Sequence, residues 1–199
     1  MIEKLAKLEV QSASQVVEDT RRWLERAVIG LNLCPFAKAV HVKGQIHYAI
    51  SLAFEPADVL AELADEAKAL LLLDAEVRDT TLLILAQGFD EFLDFNALLA
   101  RANAALRKLD LKGVVQIAPF HPRFQFADSA PDDIGNRTNR SPYPMLHLLR
   151  EASVDRAVAA FPEAQAMFEK NIRTLTELGA QGWAALDVGV HAPTGKISA

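Results

Sequence analysis

His121 is the side chain of this sequence whose chemistry and neighbours best suit proton transfer. It stands between Phe120 and Pro122, and an imidazole titrates near neutral pH, so it can act as a general acid or base. Arg123, Arg137 and Arg140 follow in the same segment. A guanidinium fork grips phosphate or carboxylate at two points, which makes the three a candidate anion pocket. Ser141, Tyr143 and His147 complete the candidate binding set, and free N–H groups at the start of a helix opened by Pro144 would add donors. Cys34 is the one thiol in the sequence. With a histidine or a cation beside it to depress its pKa, it becomes a nucleophile, and His121 is the obvious partner.

Each of these groups also has a plainer reading. The histidine can bond loop backbone and fix its shape. The cysteine can be a small buried residue. The arginines can pair with Asp128, Asp132, Asp133 or Glu151 to pin the loop. Phe120, Phe124, Phe126 and Tyr143 can stack on a flat ligand or fold back onto the core.

Other chemistries find little support. Cys34, His121 and His147 can be imagined around a metal, but no close-spaced ligand pair of the zinc type is present. Gly88 stands alone after a strand, so neither dinucleotide nor phosphate-loop fingerprints apply, and there is no Gly-x-Ser-x-Gly elbow. No cofactor and no metal are expected.

The elements that must position these groups follow from hydrophobic period. Residues 14–31 carry a helical stripe that includes Val16, Trp23, Leu24, Ala27, Val28 and Leu31. Ser12 or Ser14 would cap it, and Asn32 is a left-handed stop before Pro35. Residues 45–54 alternate, Ile46, Tyr48, Ile50, Leu52 and Phe54 against His47, Ala49, Ser51 and Ala53, which is a strand. Pro56 opens a helix to about Leu73. Thr80 to Gln87 is nearly all apolar, a strand covered on both faces. Gly88-Phe89-Asp90 turns into a helix from Glu91 to Leu109 capped by Asp90, and Val114 to Pro119 is a third strand.

The loop 119–144 comes next, and structureless segments of that length inside a compact domain are usually functional or disordered. Beyond it the sequence predicts a short helix over 144–151, a second over 154–160 capped by Ser153, and a third from Pro162 to near Gly179. Residues 183–190 are read as a short strand or coil. Helices of roughly 18 residues, about 27 Å long, return the chain to its starting edge and so imply parallel strands.

The expected fold is α/β, a small mostly parallel sheet of three or more strands with crossover helices, an N-terminal helix and a C-terminal helical segment. A ferredoxin-like α+β arrangement is the alternative and needs one more strand. The 199 residues suggest one domain, with an ordered core over about 14–190. Ligands of open parallel sheets bind beyond the carboxyl ends of the strands, where Glu55-Pro56, Gln87 to Asp90 and Phe120 to Arg123 emerge.

The net charge of −5 offers no general affinity for nucleic acid or anionic membrane. No apolar run approaches the roughly 20 residues of a membrane span, and the N-terminus lacks the order of a secretory signal. A single cysteine excludes an internal disulfide and fits a reducing cytoplasm.

Three separated motifs occur in order: Asn32-Leu33-Cys34-Pro35-Phe36-Ala37; Pro119-Phe120-His121-Pro122 with Phe124, Phe126 and Ala127; and Arg140-Ser141-Pro142-Tyr143-Pro144 with His147-Leu148-Leu149-Arg150-Glu151. Together they resemble a bacterial family known as domain of unknown function 1415, over nearly all the chain after about residue 14. The resemblance implies that the three segments act as a set and brings no activity with it.

The functional expectation is a small cytoplasmic enzyme acting on an anionic, phosphorylated or similar metabolite. His121 would be the acid/base, the arginines the pocket and Cys34 the nucleophile or pocket wall. The alternatives are a non-catalytic module docking a partner protein or a second copy of itself through the 119–147 loop, and a redox sensor acting through Cys34.

Overall fold

The computed structural model describes residues 2–160 and 167–191. Helix α1 (Ile2–Trp23) continues as a π-helical stretch (Leu24–Ile29). The wide turn shows in Gly30 N–H donating to the Glu25 carbonyl and Leu33 N–H to that of Val28, five residues back in each case. A Cβ on Gly30 would overlap the Arg26 carbonyl oxygen, so this turn requires glycine. Asn32 takes the left-handed conformation expected of it (φ 52°), but the helix starts well before residue 14. Ser12 and Ser14 therefore lie inside it and do not cap it. A short helix α2 (Ala37–Val42), not foreseen, leads to the sheet.

Strand β1 (Ile46–Ser51), helix α3 (Pro56–Leu72), strand β2 (Thr80–Leu85), helix α4 (Phe92–Lys108) and strand β3 (Val115–Phe120) follow the predicted order closely. Every residue of β2 is buried. The cap of α4 differs from expectation: Glu91, not Asp90, is its N-cap, and no side chain bonds there.

The largest correction is residues 144–151. They form strand β4 (Met145–Arg150), not a helix. The strand enters between β2 and β3, giving the order β1-β2-β4-β3. β1 and β2 are parallel, while β4 runs antiparallel to both β2 and β3. The sheet is mixed and is not mostly parallel. β1, β2 and β3 do share one direction, as the crossover helices require, but β3 pairs with β4 and not with β2. The β-α-β-β-α-β order of a ferredoxin-like fold is absent as well. Met-Leu-His-Leu-Leu-Arg reads as helix because a central strand buried on both faces loses its polar alternation.

Two cores sandwich the sheet. On one face Leu83, Leu85, Leu146 and Leu148 meet Val59, Leu63 and Leu70 of α3 and Phe95, Leu98 and Leu106 of α4. On the other, Leu82, Ile84 and Met145 meet Val16, Trp23, Leu24, Ala27 and Val28. Burying each such side chain contributes about 1.5–3 kcal/mol. Helix α5 (Glu151–Ala160) follows β4 directly. Helix α6 (Met167–Ala185) breaks at Gly179 (φ 66°, ψ 178°) and resumes, so it runs past the predicted end. Its predicted start at Pro162 lies outside the described residues. Residues 186–191 are irregular, and Val188 plugs the second core.

Candidate functional site

The carboxyl ends of β1, β2 and β3 and the start of β4 share one rim, as the register of Ile84 and Phe120 with Met145 shows. The turn after β2 carries two successive left-handed residues, Gly88 (φ 68°) and Phe89 (φ 58°). Phe89 has a Cβ, so this conformation needs external support. His121 supplies it: its Nε2 lies 2.9 Å from the Phe89 carbonyl oxygen. Its Nδ1 accepts from the Arg123 amide at 2.9 Å. One nitrogen faces an acceptor and the other a donor, which selects the neutral tautomer with hydrogen on Nε2. The ring is fully buried against Phe92 and Phe95, with centroids 5.4 and 5.1 Å away. Burial pulls its pKa down. The His121 backbone is engaged too, N–H donating to Asn139 and carbonyl accepting from Phe124. Neither nitrogen is free in this arrangement, and proton exchange with a ligand requires one of the two bonds to open.

The loop beyond is a folded object. Asn136, fully buried, accepts from the Phe126 amide (2.9 Å) and the Ser129 hydroxyl (2.8 Å) and donates to the Ala130 carbonyl (2.8 Å). Asn139 donates to the Pro119 carbonyl. The Asp133 carboxylate caps a 3₁₀ helix (Ile134–Asn139) by accepting from Gly135 N–H. Phe92, Phe124, Phe126 and Phe168 form an edge-to-face chain with centroids 4.9–5.8 Å apart. The aromatics thus turn inward.

The arginines divide. Arg123 donates to the Asp90 carbonyl and pairs with Glu91 at 2.7 Å, its side chain 55% exposed. Arg140 donates to the carbonyls of Phe124 (3.1 Å) and Pro131 (2.6 Å). Both line a cleft of about 700 Å³ with Glu91, Leu93, Asp94 and Pro122, over the uncapped first turn of α4. Arg137 lies outside that lining. Its guanidinium sits over the Trp183 ring, 5.3 Å from the centroid. The predicted pairing with Asp128, Asp132, Asp133 or Glu151 is made by none of the three.

The remaining candidates sit elsewhere. Ser141 Oγ donates to the Tyr143 carbonyl, and Tyr143 Oη donates to Asp19 at 2.9 Å. Burial, then Asp19, raise the Tyr143 pKa. His147 lies mid-strand on the α1 face, opposite Leu82 and Ala118, with Nε2 2.6 Å from Thr80 Oγ1. Burial lowers its pKa to about 4. Cys34 packs into the core on the α1 side, and burial raises its pKa despite nearby backbone N–H groups of Phe36 and Ala37. His121 packs against α4, in the other layer, and none of its contacts involves the thiol.

Sequence reasoning passed over Asp19. Its carboxylate is fully buried, yet its pKa is lowered. Burial alone would raise it; hydrogen bonds from His191 N–H, Tyr143, Gln15 and Arg22 outweigh that. The signal was there, because position 19 falls on the apolar stripe between Val16 and Trp23. Among the described residues no three His, Cys, Asp or Glu side chains converge as metal ligands, and no helix is long and apolar enough to cross a membrane.

No curated protein and no solved structure matches the chain. The model of one family, described as protein of unknown function (DUF1415), matches residues 15–185, and the chain belongs to that family.

Proposed function

We propose that this chain binds a small anionic metabolite, phosphorylated or carboxylated, in the cleft over the first turn of α4. The observation that carries the reading is Arg140. Two of its nitrogens hold loop carbonyls, while Nη1 has no acceptor among the described residues, and the residue lines the cleft. The guanidinium is thus held rigid with donors to spare, the state that favours two-point recognition of an acid group. Arg123 lines the same cleft and can exchange Glu91 for a ligand anion. Asp94, also in the lining, favours a metabolite that carries a hydroxyl or ammonium group beside its acid group.

In this reading His121 is a positioning residue. It fixes the Phe89 carbonyl and the Arg123 backbone, and acid/base work by it follows only where a ligand draws Nδ1 from the Arg123 amide. The lone thiol is the ground for a cytoplasmic setting. Thermal-shift screening with phosphorylated and carboxylated metabolites tests the proposal, because a ligand that binds only the folded state raises Tm. Arg123→Gln should weaken the response about tenfold without lowering the Tm of the free protein. A native protein inert to every anionic metabolite rejects the reading.

A second reading, docking of a protein at the same rim, is favoured by Leu93 and Phe54, which are 79% and 65% exposed there. Phe54→Asp, outside the lining of the cleft, would then abolish a stoichiometric complex seen by light scattering, a self-complex included, while leaving metabolite binding in place.

A further inference from the structure

We propose that Arg137, braced on Trp183 and one 3₁₀ turn before Arg140, anchors an oxyanion-binding site outside the lining of the cleft over α4. The 3₁₀ helix Ile134–Asn139 sets this up. In a 3₁₀ helix, side chains three apart are eclipsed, so Arg137 and the C-cap residue Arg140 leave the backbone on the same edge. The Arg140 amide also donates to the Arg137 carbonyl at 3.3 Å, which keeps the two in that relation.

The Arg140 charge bears on Arg137, and among the described residues no ion pair relieves it. Neither arginine has a carboxylate partner, and among the described residues the Arg137 guanidinium has no hydrogen-bond acceptor. Asp133, the nearest acid in sequence, is occupied with Gly135 N–H. Arg137 is also partly buried. Burial first, and the Arg140 charge second, make its proton less tightly held than usual.

The indole explains how such a group persists. A guanidinium over an aromatic face is held by cation–π attraction and by stacking, and neither uses its N–H donors. Arg137 is therefore fixed in place with those donors unspent. Trp183 is itself firmly seated, since it packs into the core on the α1 face, and the Leu186 amide donates to its carbonyl. A rigid, partly desolvated fork beside a second cation suits a phosphoryl or carboxyl group. It does not suit a neutral ligand, which would leave the two charges unrelieved.

The test uses the full chain and inorganic phosphate, with malonate as the carboxylate arm, at ionic strength held constant with chloride. Phosphate or malonate should raise Tm and change the tryptophan emission, because the anion binds against the indole. Arg137→Gln should weaken both responses about tenfold or more, Arg137→Lys should weaken them less, and Arg107→Gln, in the last turn of α4, should leave them intact. Circular dichroism checks the fold. If Arg137→Gln fails to fold, Arg137→Lys, which keeps a charge but loses the fork, decides instead. The proposal is overturned if Arg137 variants respond like the native protein, or if neither anion acts beyond chloride. A response lost in Arg123→Gln and kept in Arg137→Gln would reject this site and support the cleft over α4.

Discussion

The two rims of the sheet use the same side chain in opposite ways. At the amino rim, the Arg150 guanidinium donates to the carbonyls of Leu70, Leu73 and Arg78 and so closes the uncapped C-terminus of α3. Arg78 beside it is absorbed by Glu66 and Thr81. At the carboxyl rim, Arg140 is half used, and among the described residues the Arg137 guanidinium is held by an indole and has no hydrogen-bond acceptor. The difference lies in the supply of acceptors. A helix C-terminus exposes orphan carbonyls that saturate a guanidinium, whereas around the 3₁₀ turn Asn136 and Asn139 take the Ala130 and Pro119 carbonyls and Asp133 takes the Gly135 N–H. An arginine consumed by backbone is structural. One held in place with its donors free is prepared for a ligand.

That contrast can be broken by substitution. Arg150→Met should destabilise the fold by about 4 kcal/mol, because several buried or half-buried carbonyls lose a charged donor at once; urea unfolding measures it. Arg137→Gln should change stability by less than about 0.5 kcal/mol, since it removes an unpaired charge and a stacking contact of similar size. Equal losses in the two variants would erase the distinction drawn between the rims.

Between these extremes lies an acid effect that sharpens the comparison, because it acts on imidazoles already bonded within the fold. His121 and His147 both have folded-state pKa values below the ordinary value near 6.5, and that of His147 is about 4. The unfolded chain therefore binds more protons than the folded one below pH 6.5. The stabilisation is complete above that pH and is lost as pH falls from about 6.5 toward 4, by about 3 kcal/mol for His147. Urea midpoints at pH 7 and 4.5 should show the loss. His147→Asn, which keeps a polar partner for Thr80, should flatten the profile.

Much of the frame was legible in the residues. Alternation located β1, an unbroken apolar run located β2, Pro56 marked the start of α3, and Asn32 marked a left-handed stop. The loop 119–144 was recognisable as an organised segment from its prolines, aromatics and arginines. β4 was not, because Met145–Arg150 has no period of its own, and its strand identity comes from ladders to β2 and β3 on either side. With β4 missed, the sheet read as mostly parallel. Thiol and imidazole were likewise joined on paper, although Cys34 packs on the α1 side and His121 against α4.

The sequence by itself determined the local elements and their order, because hydrophobic period, proline and left-handed asparagine act within a few residues. It also determined which chemistry was available: one thiol, a handful of imidazoles and a basic loop. Only the tertiary structure decided which of those groups are spent. Whether a guanidinium or an imidazole is free depends on which carbonyls, carboxylates and rings arrive from distant segments, and no short-range pattern encodes those arrivals.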